Sequence, residues 1–296
     1  MKKVVQITLS YTGNDSNKHL IDFYDVSKAL IGFQRSIALT THLVLNNEII
    51  TQATALKGAT IYTLPSESGS WKITAVVAMV ATGGYNLGTA PVNTPLGHIV
   101  HSVYDYVVSE NLGVHIDYEK SLGQLYDDAK TKEIGVKKIT QSQADWLAEK
   151  CSGAVLDMHR PISKTQTAKK GTIITTVNNQ QMRLHGNLTL DTFAFLNETK
   201  TSNELETIEG FISSYTKNTY KGRIFVKELG RAVTFELAEK VRTRKAIDLI
   251  TRGLRANALN LNSEDRIIFC TAYRNTSRSG QLKSFLIMDV YRKSLS

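Results

Sequence analysis

The chain has 296 residues, 42% of them hydrophobic, which is enough for one large or two ordinary domains with buried cores. Four prolines argue against long disordered linkers, two cysteines exclude a disulfide framework and favour a reducing compartment, and the longest apolar run is too short to span a bilayer. The net charge of +9 is uneven, because residues 201–296 hold 17 basic and 10 acidic side chains. We expect an anionic partner, no membrane partner and, since no apolar signal segment is evident, a cytoplasmic location, either in a bacterium or in the bacterial host cytoplasm of a phage.

The first two thirds of the sequence predict a mixed α/β domain that ends near residue 200. One segment, WKITAVVAMV (71–80), is so uniformly apolar that periodicity leaves it open between a strand and a buried helix. In chain order, the other predicted elements are a strand over 3–11, a helix over 25–45 with Asp25 as its N-cap, an extended segment over 50–64, helices over 95–112 and 140–159, and a hairpin within 171–195.

The pattern changes after TKTSNELETIEG (199–210), which is the predicted boundary between a domain over 1–200 and a domain over 201–296. The second domain shows three strands, one helix and two strands, an order that matches a five-stranded OB-like barrel with its helix between strands three and four. Overall we predict an α+β protein. The predicted elements are strands over 209–216, 223–226 and 232–237, a helix over 238–258, and strands over 266–273 and 282–291.

The predicted barrel carries a basic surface that can be placed by analogy with OB folds, which bind ligands on strands two and three and the loops beside them. Alternation turns Ile224 and Val226 into the barrel, so that an Arg–Phe–Lys row faces outward. Cations and stacking aromatics are what a single nucleic-acid strand requires. The predicted binding residues are Lys217, Tyr220 and Lys221 of the first loop, Arg223, Phe225 and Lys227 of the second strand, and Arg274, Arg278 and Lys283 of the last hairpin.

Two other interpretations of this surface stay open. A small barrel also keeps its exterior polar to prevent aggregation, and an outward aromatic can contact a protein instead of a base. Cys270 alternates with Ile268 and Ala272, so we expect it in the barrel core, unless it faces outward and cross-links protomers.

Residues capable of catalysis are present, but their spacing gives only weak support for a catalytic or metal site. His98, His101 and Asp105 are spaced to share one helix face opposite the apolar stripe, where they could bind zinc or form a solvated surface. Cys151 and His159 are eight residues apart on one predicted helix, about 12 Å, which is too far for a nucleophile and its base. Phosphate-loop, nucleophile-elbow, CxxC and dinucleotide motifs are missing. We therefore predict a protein that is not an enzyme, with no catalytic residue, no metal and no cofactor.

Residues 29–72 (ALIGFQRSIALTTHLVLNNEIITQATALKGATIYTLPSESGSWK) and the segments GFISSYTKNTYKGRIFV and TAYRNTSRSGQLKSF resemble a family of uncharacterised bacterial and phage-borne proteins. That family pairs an α/β domain with a small C-terminal β-barrel, and the resemblance covers nearly the whole chain. In size and layout the sequence is also similar to phage anti-defence proteins that inhibit the Gabija system, although no motif is shared.

Two functions remain as hypotheses. The first is a non-catalytic interaction protein, which the anti-defence resemblance would make an oligomeric inhibitor of a host protein complex such as a defence nuclease. The second is a nucleic-acid-binding protein that uses the basic barrel, for which we expect affinity to fall steeply with salt.

Overall fold

The computed structural model divides the chain into two compact units, Met1–Leu196 and Asn197–Ser296. The division lies close to the boundary that the sequence predicts near residue 200. The residues that the structure describes are 2–64, 71–79, 96–126, 137–261, 266–276, 280 and 282–292.

A five-stranded antiparallel sheet forms the frame of the first unit. Its strands are β1 (Lys2–Thr12), β2 (Ala59–Leu64), β3 (Trp71–Met79), β4 (Lys170–Val177) and β5 (Gln180–Arg183), in the order β2-β3-β1-β4-β5. The central strand β1 pairs with β3 on one side and β4 on the other, so that Ile7 faces both Ala75 and Thr175 in register. The segment that periodicity left open is therefore a strand, because residues 71–79 complete the ladder against β1.

Helices complete this unit and bury its apolar core. They are α1 (Phe23–Asn46), α2 (Leu96–Asn111), α3 (Gln141–Met158), α4 (Arg160–Ser163) and α5 (Leu190–Asn197), with short 3-10 segments at Asn14–Lys18 and Ala53–Ala55 and a π segment at Glu119–Gly123. The long helices α1 and α3 approach closely, since a Cβ placed on Gly32 would lie 2.3 Å from the Ala154 carbonyl oxygen. None of the described helices is both long enough and apolar enough to cross a membrane.

The start of α1 differs from the sequence prediction. Asp22 is the N-cap, because its Oδ1 accepts a hydrogen bond from the Asp25 backbone N–H at 2.8 Å. Asp25 itself is only 2% exposed, and its Oδ1 accepts from Arg160 Nε at 2.9 Å and lies 2.8 Å from Arg160 Nη2. The Asp25 Oδ2 atom is buried and has no hydrogen-bond partner within the described structure. The predicted cap is thus wrong, and this carboxylate instead forms a buried ion pair with Arg160.

His159, at the end of α3, is a fully buried imidazole with both ring nitrogens engaged. Nδ1 lies 2.8 Å from the Val155 carbonyl oxygen and Nε2 lies 3.0 Å from Thr192 Oγ1. Because a carbonyl oxygen can only accept, Nδ1 carries the proton, and Nε2 of the neutral ring is an acceptor beside the Thr192 hydroxyl. Burial lowers the pKa of His159 from 6.5 to about 4, against a smaller upward effect of the Val155 carbonyl.

This imidazole makes the first unit sensitive to acid. In the unfolded chain His159 binds its proton near pH 6.5, whereas the folded unit resists protonation until about pH 4. Stability is therefore fully present above pH 6.5, and about 3 kcal/mol is lost as the pH falls to 4. Urea unfolding followed by tryptophan fluorescence measures this unit selectively, since both tryptophans, Trp71 and Trp146, lie in it. A His159→Gln variant should lose this part of the pH dependence; equal pH profiles for variant and wild type would contradict the assignment.

The second unit is a closed five-stranded barrel with one helix. Its elements are β6 (Lys200–Thr216), β7 (Lys221–Val226), β8 (Arg231–Leu237), a 3-10 turn (Glu239–Val241), α6 (Arg244–Ala258), β9 (Ile267–Thr276) and β10 (Leu282–Tyr291). The strand order around the barrel is β10-β8-β7-β6-β9, with β9 and β10 closing it and with β8 and β10 parallel. The predicted α+β class, with a C-terminal five-stranded barrel and its helix between the third and fourth strands, is confirmed.

Alternation along the barrel strands fills the interior as the sequence predicts. Ile224 and Val226 are buried in the barrel core, and Cys270 is fully buried with them. Cys270 is therefore a core residue and does not face outward, and its burial raises the pKa of the thiol to about 12. The predicted boundary segment 199–210 contains the first eleven of the 17 residues of β6, which pairs with β9 from Lys200 to Phe211. Where β6 meets β7, a Cβ on Gly210 would lie 2.2 Å from the Phe225 carbonyl oxygen, so only glycine permits this approach.

Candidate functional site

Four aromatic side chains lie on the outer side of the barrel, and we call them the aromatic face: Phe211, Phe225, Phe269 and Tyr291. The strand registers place them in pairs, with Phe211 opposite Phe225 and Phe269 opposite Tyr291. In each pair the ring centroids are 5.9 Å apart, and the interplanar angles are 13° and 23°. All four rings are half-buried. The face therefore presents two stacked pairs of rings that keep part of their surface in solvent.

Two cations lie beside the first aromatic pair. Lys227 Nζ lies 5.8 Å and Arg266 Cζ lies 5.6 Å from the Phe211 ring centroid, both within the range of cation–π attraction. Lys227 also forms an ion pair with Glu209, and each of the two side chains is 41% exposed. The Arg266 side chain is oriented by Asn260, whose Oδ1 accepts from Nη1 at 2.8 Å. Positive charge is thus held next to exposed aromatic surface.

A cavity of about 370 Å³ is lined by Lys227 and by the second aromatic pair, Phe269 and Tyr291. The volume falls within the range of small-ligand pockets in proteins. Its lining includes the polar residues Thr207, Glu209, Lys227 and Glu228 and the aromatic residues Phe269 and Tyr291. A planar group in this cavity could therefore stack on the ring of Phe269 or Tyr291 while its edge contacts the two carboxylates and the ammonium.

The structure places the predicted Arg–Phe–Lys row of β7 on the outer side, but not as a continuous exposed surface. Phe225 belongs to the aromatic face, and Lys227 lies beside it. Arg223, in contrast, is only 4% exposed, so its guanidinium is not available on the surface. The prediction that this arginine is exposed is wrong: Arg223 lies opposite Ser214, which is also buried at 3%, next to an irregularity in the β6–β7 register between Ile212 and Ser214.

The first loop contributes less than the sequence suggests. Lys217 is exposed, but the Tyr220 ring is covered by the Arg242 guanidinium, whose Cζ lies 4.7 Å from the ring centroid. Lys221 lies 4.0 Å from a Glu236 carboxylate oxygen. Tyr220 and Lys221, which the sequence predicts as outward binding residues, therefore already contact other side chains of the barrel unit.

Of the predicted binding residues of the β9–β10 hairpin, Arg274 and Lys283 are also engaged in contacts within the barrel unit. Arg274 Nε lies 2.5 Å from Glu206 Oε1, and this hydrogen bond raises the pKa of the guanidinium. Lys283 Nζ donates to the Glu198 carbonyl oxygen at 2.9 Å, and burial lowers the pKa of the ammonium. Arg278 lies outside the described residues.

The two predicted binding loops do not lie together. The turn after β6 adjoins Thr216, whereas the β9–β10 hairpin adjoins Lys200, at the opposite end of the same strand. The aromatic face lies between them, near the middle of β6. Sequence reasoning missed Phe211, Arg266, Phe269 and Tyr291 as parts of this site. Alternation alone places Phe211 and Phe269 on the outer side, but only the register of β6 with β7 and of β9 with β10 shows which rings pair.

From the sequence, the face of α2 that carries His98, His101 and Asp105 could be either a metal site or a solvated surface. In the structure, Asp105 on this face is buried. Asp105 is 4% exposed and accepts hydrogen bonds from the His185 backbone N–H and from Ser109 Oγ, each at 2.9 Å. Its Oδ2 lies 2.5 Å from His185 Nδ1. The segment that follows β5 covers this side of α2, which is why the carboxylate is buried.

His101 takes part in a separate contact. Its Nδ1 lies 2.6 Å from Thr175 Oγ1 of β4, and burial lowers the pKa of this imidazole. Across the described parts of the chain, no three His, Cys, Asp or Glu side chains are grouped so that they could hold a metal ion. The hydrogen bonds of His101, Asp105 and Ser109 connect α2 to the β4–β5 hairpin and the segment after it, which is a structural role.

Two family models match adjacent parts of the chain. One, described as a domain of unknown function (DUF7946), matches residues 7–196, and the other, described as a family of unknown function (DUF7947), matches residues 204–291. The first match covers the α/β unit and the second covers the closed barrel, so the predicted pairing of two such domains is confirmed. Searches of curated proteins and of solved structures gave no match to the chain.

Proposed function

The chain belongs to the family described as a domain of unknown function (DUF7946), and we propose that this member is a non-catalytic protein that binds single-stranded nucleic acid through the aromatic face of its barrel. The observation that carries the proposal is the stacked pair Phe211–Phe225 with Lys227 and Arg266 beside it. Bases stack on such rings whatever their sequence, and neighbouring cations attract the phosphates. A duplex keeps its bases stacked inside the helix and offers them no such access.

The charges near the face set how strongly salt should affect binding. Lys227 is paired with Glu209, and the predicted loop cations Lys221 and Arg274 are paired with acids as well. Arg266, beside the face, and the exposed Lys217 of the first loop are then the two cations counted as phosphate contacts. The slope of log K against log salt should therefore be about −1.4, at roughly −0.7 for each phosphate on a single strand. This is shallower than the composition of the last third of the chain predicts.

Fluorescence anisotropy of a labelled 15-nucleotide oligothymidine and a labelled duplex of equal length tests the proposal. We expect micromolar binding of the single strand, at least tenfold weaker binding of the duplex, and the shallow salt slope given above. Equal affinity for both would show binding by charge alone, and no binding of the single strand at low salt would overturn the proposal.

Protein binding is the second candidate function, and the ion pairs favour it. An aromatic centre surrounded by paired charges, such as Lys227–Glu209, is the usual anatomy of a protein interface. The anti-defence form of this hypothesis, an oligomeric inhibitor of a host complex, rests on the resemblance in size and layout and stays a prediction. Light scattering that shows a monomer, together with single-strand binding, would count against it.

A further inference from the structure

The cavity that includes Phe269 and Tyr291 of the aromatic face is lined by both hydrogen-bond acceptors and a hydrogen-bond donor. Its lining includes the acidic residues Glu209 and Glu228, the basic residue Lys227, and the aromatic residues Phe269 and Tyr291. Glu209 and Lys227 are paired with each other, but each is 41% exposed, and an ion pair so open to solvent is weakly held. Both groups can therefore turn to a ligand that enters the cavity.

Among the four bases of DNA, guanine matches these groups best. Its N1–H and N2 amino group are two adjacent donors that one carboxylate can accept together, and its O6 beside them accepts from an ammonium. Adenine and cytosine each present an amino group next to an acceptor nitrogen, which a carboxylate repels. Thymine presents one N–H between two carbonyl oxygens, with the same disadvantage.

We propose that the cavity is a guanine-selective subsite, in which the base stacks on one ring of the Phe269–Tyr291 pair, Glu209 accepts from N1–H and the N2 amino group, and Lys227 donates to O6. This inference rests on the proposed single-strand binding and adds a base preference to it. The stacked pair Phe211–Phe225 contacts neighbouring bases without selecting among them.

Anisotropy with labelled 12-nucleotide strands tests the subsite without changing the protein. We expect d(GT)6 to bind about tenfold more tightly than d(AC)6 or d(CT)6, neither of which can pair with itself, as is typical for one good bidentate contact to a base. Inosine lacks only the N2 amino group, so d(IT)6 should lose the preference. A strand with 7-deazaguanine keeps N1–H, N2 and O6 and should retain it.

A matched pair of variants assigns the preference to Glu209. Glu209→Gln should bring the four strands to similar affinities, because an amide offers one acceptor oxygen beside a donor. Glu236→Gln is the control, since Glu236 is 40% exposed and also ion-paired on the barrel but does not line the cavity. It should keep the tenfold preference.

The outcomes separate the two proposals. Equal binding of all strands would overturn the guanine subsite and leave single-strand binding intact, whereas no binding of any strand would overturn both. A guanine preference that persists with inosine, or in Glu209→Gln, would show recognition by other atoms and would also overturn the subsite.

Discussion

Replacing both Phe211 and Phe225 by alanine is expected to weaken single-strand binding about a hundredfold. Each base that stacks on an aromatic ring gains roughly 1–3 kcal/mol, so losing two such contacts removes about 2–6 kcal/mol of binding free energy. The barrel should stay folded, because both rings lie on its outer side and the core around Ile212 and Ile224 is untouched. The measurement is anisotropy with the oligothymidine, together with a thermal melt of each variant.

A matched control exists in the first unit. Phe23 and Tyr24 are 84% and 61% exposed, so the double variant Phe23→Ala/Tyr24→Ala also removes two accessible aromatic rings, but from α1. It should bind like the wild type. If the barrel variant melts normally and keeps its affinity within about twofold, stacking on Phe211 and Phe225 does not drive binding. If instead the α1 variant loses affinity, the binding surface lies in the other unit.

Arg160→Met is expected to destabilise the first unit by about 3 kcal/mol or more. The change leaves Asp25 as a buried carboxylate whose Oδ1 has lost Arg160 and whose Oδ2 has no partner in the described structure. Breaking a buried pair on one side typically costs 3–5 kcal/mol. The position of Asp25 in the first turn of α1 offsets part of this cost, because the helix N-terminus favours negative charge. Urea unfolding followed by tryptophan fluorescence measures the change.

Two further variants show whether the buried charge is the cause. Asp25→Asn combined with Arg160→Met should recover most of the lost stability, since no charge is then left unpaired. Lys18→Met breaks the exposed pair with Asp15, whose side chains are 74% and 56% exposed, and should cost less than about 0.5 kcal/mol. A double variant as unstable as Arg160→Met alone would mean that lost packing, and not the unpaired carboxylate, explains the effect.

Much of the fold can be predicted from the sequence, because period-two and period-3.6 apolar patterns report local structure. The barrel strands and their inward residues, such as Ile224 and Cys270, follow from alternation alone. The nature of the segment 71–79 does not, since a uniformly apolar run is compatible with either a strand or a buried helix until its pairing with β1 is known. The predicted cap of α1 is wrong because an aspartate next to the start of an apolar helical pattern suits the N-cap position, whereas the hydrogen bond from the Asp25 backbone N–H to Asp22 shows that the helix begins earlier.

The candidate site is harder to predict than the fold. Sequence places Phe225 and Lys227 on one side of β7, but it says nothing about which residues of β6 and β9 lie beside them. A count of lysines and arginines in the sequence also leaves out the acidic side chains with which they pair in the structure. Glu206, Glu209 and Glu236 come from other strands or positions, and their pairing with the predicted cations changes a basic surface into one of mixed charge. Long-range register therefore decides the site.

The order of strands in the barrel affects when it can close during synthesis. The β6–β7–β8 meander is complete at Leu237, but β8 must wait for its parallel neighbour β10, which begins at Leu282. At translation rates of 5–20 residues per second, these roughly 45 residues leave the edge of β8 unpaired for about two to nine seconds. During this interval the nascent chain presents an open strand edge to other chains. Partial barrels should therefore be the aggregation-prone species, and slower translation of α6 and β9 should increase aggregation.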